Sequence, residues 1–217
     1  MNKPSKSNVL DRVLVLEMVR VTEAAAIAAS GLIGRGDEKA ADAAAVEAMR
    51  RAFDELYMDG TVVIGEGERD EAPMLYIGEK VGGAQGTGPR IDIALDPLEG
   101  TTITAKAGPN ALAVLAAAEA GCLLNAPDTY MDKLAIGPGY PEGIISLEKS
   151  VSENVRAVAA AKSVEPKDVI VCVLDRPRHA ELIAELRALG CGVVLIGDGD
   201  VAGVIATTDP DTTIDMY

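Results

Sequence analysis

The segment Asp96-Pro97-Leu98-Glu99-Gly100-Thr101 is the most informative stretch of this sequence. It follows Arg90-Ile91-Asp92-Ile93-Ala94-Leu95, a run typical of a buried strand. Two carboxylates three residues apart therefore fall on a predicted Pro/Gly turn, exposed at the edge of a sheet. Hard cations such as Mg²⁺ and Mn²⁺ favour oxygen ligands of this kind. Because a single turn of this composition is also common in solvated loops, it indicates a metal site only if a second one accompanies it.

A second acidic turn lies upstream, Gly65-Glu66-Gly67-Glu68-Arg69-Asp70-Glu71, and it also comes directly after a strand-like run, Thr61-Val62-Val63-Ile64. Two strands that each deliver carboxylates onto a turn can bring those carboxylates to one point. The pair of turns therefore predicts a divalent metal site.

Two Ala-rich helices are predicted before these strands, over residues 9–33 and from an N-cap at Asp37 to about residue 58. The second helix has an apolar stripe at spacings of four, four and three, formed by Ala45, Met49, Phe53 and Leu56. Asp42 falls on the same face. From spacing alone, Asp42 is equally a first-turn acid that interacts with the helix dipole or a ligand that faces inward.

Further strands are predicted at 112–117 and near 134–136, and a strand–helix–strand unit at 169–174, 176–189 and 193–196, with Gly190 as the helix stop. Short links in such a unit predict a right-handed parallel crossover. Ligands in parallel sheets bind outside the carboxyl ends of the strands. Residues 175–179 and 197–200 occupy those ends, so we expect both groups to face one crevice.

Composition excludes several classes of function. The 217 residues carry a net charge of −14 and only 3% aromatic residues, which argues against nucleic-acid binding by charge or by stacking. Hydrophobic residues make up 48%, enough for a folded core, yet no stretch is long and pure enough to span a membrane. The three cysteines lack C-x-x-C spacing and lie in or beside apolar runs, so they are expected to be reduced, buried thiols. We expect a cytoplasmic protein without membrane partners.

Two segments of the chain resemble the bacterial class II fructose-1,6-bisphosphatases, which belong to the lithium-sensitive, metal-dependent phosphatase superfamily. They are Gly65-Glu66-Gly67-Glu68-Arg69-Asp70-Glu71-Ala72-Pro73-Met74-Leu75 and Asp96-Pro97-Leu98-Glu99-Gly100-Thr101-Thr102. The resemblance continues through Asn125-Ala126-Pro127-Asp128 with Tyr130, Arg176-Pro177-Arg178-His179 and Asp198-Gly199-Asp200. It implies an α/β, layered sugar-phosphatase fold of α/β/α/β/α type with an incomplete C-terminal part. Residues 1–154 would form an N-terminal metal-binding α+β region and residues 155–217 a partial βαβ sugar-phosphate-binding region.

The resemblance also implies the chemistry: hydrolysis of the 1-phosphate of fructose 1,6-bisphosphate, with sedoheptulose 1,7-bisphosphate as a possible second substrate. Two or more Mn²⁺ or Mg²⁺ ions would be the cofactors, and a homodimer or homotetramer the assembly. The residues that match the family's metal ligands are Asp42, Glu66, Asp96 and Glu99.

Catalytic and substrate-binding roles follow from the same match. Asp70 suits a carboxylate that positions or deprotonates the attacking water, with Glu68 beside it, although either is also an ordinary surface acid. Thr101 suits both a phosphate ligand and a helix N-cap. The predicted substrate-binding residues are Glu99, Gly100, Thr101, Tyr130, Arg176, Arg178, His179, Asp198, Gly199 and Asp200.

The pattern departs from the family after Tyr217, where class II enzymes continue with an A-P-E-G element whose Glu completes the metal site. Two alternatives therefore stay open. One is a catalytically impaired protein or fragment that binds a sugar phosphate, and the other is a different lithium-sensitive phosphatase acting on an inositol or nucleotide phosphate. The long acidic segment at 65–75 argues against the second alternative.

Overall fold

A computed structural model describes residues 14–66, 74–124 and 129–217, and it divides the chain into two compact units, Met1–Thr129 and Tyr130–Tyr217. Each unit has its own hydrophobic core. The division lies before the boundary predicted after residue 154, because Leu134, Ile136, Tyr140 and Ile145 pack against the core of the second unit.

Two helices cover one side of the first core, α1 (Val15–Ser30) and α2 (Glu38–Asp54). Three residues of the predicted stripe, Ala45, Met49 and Phe53, lie on α2 and are fully buried, whereas Leu56, 5% exposed, follows the end of the helix. Asp37 is the N-cap of α2 as predicted, and its carboxylate accepts a hydrogen bond of 3.0 Å from the backbone N–H of Ala40. The helix ends at Asp54, earlier than predicted, because the chain turns where Leu56 N–H donates to the Phe53 carbonyl.

A four-stranded sheet completes the first unit. Its strands are β1 (Asp59–Ile64), β2 (Lys80–Val81), β3 (Arg90–Glu99) and β4 (Leu112–Glu119), in the order β2-β1-β3-β4. The central pair, β1 and β3, is parallel, and the two outer pairs are antiparallel. The strands predicted at 61–64, 91–95 and 112–117 are confirmed.

The acidic segment at the end of β3 differs from its prediction, because it continues the strand instead of forming a turn. Asp96 lies opposite Val114, whereas Glu99 lies opposite Leu112, so β3 carries one extra residue in a bulge. Pro97 fits there because a bulge residue need not donate to the ladder. Gly100 follows with φ 103°, and α3 (Thr101–Ala105) begins directly after it.

The second unit contains a parallel pair of strands, β5 (Ile170–Leu174) and β6 (Gly192–Ile196), as predicted. Its helices are α4 (Val151–Lys162), α5 (Ala180–Ala188) and α6 (Asp200–Ala206). The predicted helix at 176–189 begins instead as a 3₁₀ turn, Pro177–His179, that leads into α5. Gly190 follows the end of α5 with φ 86°, which confirms the predicted helix stop.

The strand predicted near residues 134–136 is wrong: the structure forms only a single bridge there, between Ile136 and Met216. Met216 also bridges Val171, and its carbonyl accepts a 2.8 Å hydrogen bond from the N–H of Cys172. Residues 215–217 thus extend the pairing of β5. Within the described ranges, no helix has both the length and the apolarity needed to cross a membrane.

Candidate functional site

Three of the predicted metal ligands, Glu66, Asp96 and Glu99, interact at one end of the parallel pair β1 and β3. Ile64 lies opposite Ala94 in the register of this pair, and Glu66 and Asp96 are each two residues further along. The backbone N–H of Glu66 donates a 3.0 Å hydrogen bond to the Leu75 carbonyl, which fixes the chain where it leaves β1.

Asp96 is the carboxylate most affected by this arrangement. Its pKa is raised to about 8, chiefly by burial and further by a side-chain hydrogen bond to Glu99 and the negative charges of Glu99 and Glu66. A 3.0 Å hydrogen bond from the N–H of Leu98 opposes these effects and holds one carboxylate oxygen in place. The cluster therefore retains a proton at neutral pH, or it takes up a cation in the proton's place.

Asp42 lies on α2, the helix that packs against both β3 and α3. Burial raises the pKa of its carboxyl above the usual value. Of the two readings left open by spacing, an inward carboxylate agrees better with this partial burial than a solvated first-turn acid does.

The donor set fits a hard divalent cation, because every predicted ligand is a carboxylate. The described ranges contain no group of three or more His, Cys, Asp or Glu side chains already gathered closely enough to hold a metal ion. Glu68 and Asp70 lie outside the described residues. Thr101 is the first residue of α3 and not its N-cap, because Gly100 takes the cap position.

A cavity of about 580 Å³ lies in the second unit, and four predicted substrate-binding residues line it: Tyr130, Arg178, His179 and Asp200. The Arg178 guanidinium lies over the Tyr130 ring, 4.5 Å from its centroid, in a cation–π contact. Nδ1 of His179 is 2.8 Å from the carbonyl oxygen of Leu174, the last residue of β5. The carboxyl end of β5 thus positions this side of the cavity.

The other predicted substrate-binding residues of this unit, Arg176, Asp198 and Gly199, are not among those that line the cavity. A 3.5 Å hydrogen bond joins the Arg176 guanidinium to the Asp175 carbonyl. Asp198 accepts a 3.1 Å hydrogen bond from the N–H of Gly199, which has φ 86° and precedes α6. The strand ends therefore bring part of the predicted set to one crevice.

Sequence reasoning missed four polar residues of the same cavity, Asp132, Lys133, Lys149 and Asn154. Asn154 is 6% exposed on α4 and joins the backbone of Ser146 through two hydrogen bonds, a buried polar position that helical spacing would have revealed. Lys133 forms an ion pair with Asp200. No sequence signal marked this pair, since its members are far apart in the chain.

Comparison with known proteins agrees with these features. The family model described as bacterial fructose-1,6-bisphosphatase, glpX-encoded, matches residues 12–217. Curated relatives include fructose-1,6-bisphosphatase 1 class 2 of Escherichia coli K12 and fructose-1,6-bisphosphatase class 2 of Shigella flexneri, each 53% identical over 205 residues. Those alignments cover 94% of this chain and 60% of each relative, so the chain spans about three fifths of their length. The chain belongs to the glpX-encoded bacterial fructose-1,6-bisphosphatase family.

Proposed function

We propose that this chain carries the metal-binding and sugar-phosphate-binding parts of a phosphatase that removes the 1-phosphate of fructose 1,6-bisphosphate. The observation that carries the proposal is the interaction of Asp96 with Glu99 and Glu66 at the end of β3, in a chain that is 53% identical to proteins named for this activity. Neither an inositol or nucleotide phosphatase nor an inactive binding protein is favoured by these relatives.

Asp42, Glu66, Asp96 and Glu99 are the proposed ligands of two or more Mn²⁺ or Mg²⁺ ions. When bound, these ions supply Lewis acidity toward the phosphoryl oxygens and lower the pKa of water. Burial and crowding prepare Asp96 for this role, because a carboxylate that is costly to ionise alone gains most from a cation. Its proton must leave before a cation binds.

The remaining steps belong to side chains of the chain itself. Asp70 accepts the proton of the attacking water, and Glu68, two residues earlier in the sequence, is the second candidate for this role. The Thr101 hydroxyl donates to a phosphoryl oxygen at the point where β3 ends and α3 begins. Gly100 permits the phosphoryl group to come close to the backbone there, because glycine has no side chain.

The cavity of the second unit is the proposed place for the sugar phosphate. Arg178 and Tyr130 present a cation and a hydroxyl donor, and Asp200 accepts hydrogen bonds from sugar hydroxyls. Arg176, His179, Asp198 and Gly199 support the same region from the ends of β5 and β6. Sedoheptulose 1,7-bisphosphate is a proposed second substrate, and a cytoplasmic homodimer or homotetramer the proposed assembly.

The experiment is release of inorganic phosphate from fructose 1,6-bisphosphate by the purified chain, with and without Mn²⁺. We expect turnover that requires the metal and that Asp96→Asn abolishes. Asp92→Asn is the matched control, because Asp92 lies on the same strand and accepts its 2.6 Å hydrogen bond from the N–H of Gly121. Turnover without metal, full activity in Asp96→Asn, or preference for an inositol phosphate would each contradict the proposal.

A further inference from the structure

Charge at the cavity of the second unit differs from charge over the whole chain. The chain has a net charge of −14, yet the cavity lining carries three cations, Lys133, Lys149 and Arg178, against two carboxylates, Asp132 and Asp200. A phosphorylated ligand is repelled by most of the protein's surface and attracted at this place. Each of the three cations has a different partner, and the partner indicates what the cation can do.

Lys149 is held by backbone, because its ammonium donates hydrogen bonds to the carbonyl oxygens of Ile144 at 2.8 Å and Gly143 at 3.2 Å. Arg178 stacks on Tyr130. Lys133 pairs instead with Asp200, a carboxylate that lines the same cavity. The Lys133 side chain remains 46% exposed, so its ammonium is accessible to a ligand while it holds the carboxylate.

We propose that Lys133 is a specificity-determining residue of this site, which neutralises Asp200 and donates to the phosphate group of the bound sugar. This inference rests on the proposed sugar-phosphate function of the cavity. A carboxylate in the wall of a phosphate site repels the ligand unless a cation compensates it. An ammonium placed on that carboxylate removes the repulsion and adds a charge-assisted donor.

The pairing also positions Asp200 for its proposed contact with sugar hydroxyls. Asp200 begins α6, whereas Lys133 comes from an irregular segment near the start of the unit, so the ion pair joins two parts of the cavity wall. Because an ammonium leaves other lone pairs of the carboxylate available, Asp200 can accept from a hydroxyl at the same time.

The chain offers a matched control, the ion pair between Lys162 and Asp215 in the same unit. The two lysine side chains are 46% and 32% exposed and their partners 20% and 13%, so the pairs are similarly accessible. Lys162 does not line the cavity. Loss of that pair should affect stability without affecting a ligand in the cavity.

The experiment is titration calorimetry of the metal-free chain with fructose 1,6-bisphosphate and, separately, with inorganic phosphate. We expect Lys133→Met to raise the Kd for the bisphosphate by about tenfold to a hundredfold, as loss of a charge-assisted hydrogen bond does. Lys133→Arg, which keeps the charge, should stay within about threefold of the wild type, and Lys162→Met should bind as the wild type does. In turnover assays, Lys133→Met should raise KM and leave kcat nearly unchanged.

An unchanged Kd in Lys133→Met, or an equal loss of affinity in Lys162→Met, would overturn the proposal. So would a wild-type chain that binds neither ligand. Calorimetry needs no metal and no catalysis, so this inference can fail while metal-dependent turnover is present, and it can hold while turnover is absent.

Discussion

Asp96 combines burial with negative neighbours, so its ionisation opposes folding of the first unit. The folded chain raises its pKa to about 8 from the ordinary 3.8 and therefore holds a proton that the unfolded chain has lost. The resulting stabilisation is fully present below about pH 4 and is lost as the pH rises through about 8. We expect the melting temperature of the metal-free chain to fall across this range, measured by circular dichroism in a chelator.

Asp96→Asn tests whether Asp96 causes this fall of the melting temperature with pH. An amide cannot ionise, so the variant's melting temperature should depend less on pH than that of the wild type. Some dependence of the same sign should persist, because burial also raises the pKa of Asp42. If the melting temperature of the variant changed with pH as much as that of the wild type, groups other than Asp96 would be the cause. Saturating Mn²⁺ should raise the wild-type melting temperature most at high pH, where the carboxylates have lost their protons.

Gly100 is the residue that lets β3 pass directly into α3. It has φ 103°, and a Cβ there would lie 2.9 Å from Cδ1 of Ile103. We expect Gly100→Ala to lower the free energy of unfolding by about 2–3 kcal/mol, from backbone strain and the forced shift of Ile103. Gly86→Ala is the control, because Gly86 has φ 74° with no atom within 4 Å of the added Cβ. Urea denaturation should show a smaller loss for Gly86→Ala, and equal losses would contradict the steric argument.

At the scale of elements, the N-cap of α2 connects stability with the candidate metal site. Asp37→Ala removes the acceptor for the Ala40 N–H and should cost about 1 kcal/mol. Asp42 lies only five residues after the cap, so fraying of this end should also weaken Mn²⁺ binding. Ser150→Ala removes the corresponding cap of α4 in the second unit and should cost a similar amount without weakening Mn²⁺ binding. Calorimetric titration with Mn²⁺ distinguishes the two variants.

Asp215 anchors the segment that extends the pairing of β5. One oxygen of its carboxylate pairs with Lys162, and the other accepts a 2.9 Å hydrogen bond from the N–H of Ile170. We expect Asp215→Ala to cost about 1–3 kcal/mol, since it leaves both donors without this partner. Lys162→Met removes only the ion pair and should cost less than about 1 kcal/mol. Equal losses in urea denaturation would mean that the hydrogen bond to Ile170 contributes nothing.

These elements also show what sequence alone could predict. The runs that became β1, β3 and β5 are apolar enough to be recognised without a partner, and the Asp37 cap is a local signal. The sequence predicts a turn at 96–99 where the structure has a bulge, because Pro and Gly favour both. Only the pairing with β4 distinguishes the two. The strand expected near residue 135 is instead a short contact, in which Ile136 bridges Met216 and Ala135 exchanges backbone hydrogen bonds with Tyr217.

Residues of the candidate sites also differ in whether a local sequence pattern marks them. Glu66, Asp96 and Glu99 were predictable because each lies on or directly after a recognisable strand, and a shared strand pair brings them together. The ion pair between Lys133 and Asp200 was not predictable, since its members are 67 residues apart in the chain. Local patterns thus identify residues at strand ends, whereas long-range pairs need the structure.

In the whole molecule, the two proposed binding sites, one for metal and one for phosphate, belong to different units. The four candidate metal ligands belong to Met1–Thr129, and the cavity proposed to bind phosphate belongs to Tyr130–Tyr217. Each unit has a separate core, so a ligand of one unit need not stabilise the other. Hydrogen–deuterium exchange with mass spectrometry can therefore assign each ligand to its unit.

We expect Mn²⁺ alone to slow amide exchange in β3 and α3, because a cation that binds Asp96 and Glu99 restrains both elements. Inorganic phosphate added to the metal-free chain should instead slow exchange around the cavity, at residues 130–134 and 177–180. Asp96→Asn should remove the protection of β3 and α3 by Mn²⁺ and keep the protection of the cavity by phosphate. Lys133→Met should keep the protection by Mn²⁺ and remove the protection by phosphate. Protection of β3 and α3 by Mn²⁺ that persists in Asp96→Asn would contradict the proposed metal ligands, because that variant lacks the central carboxylate of the site.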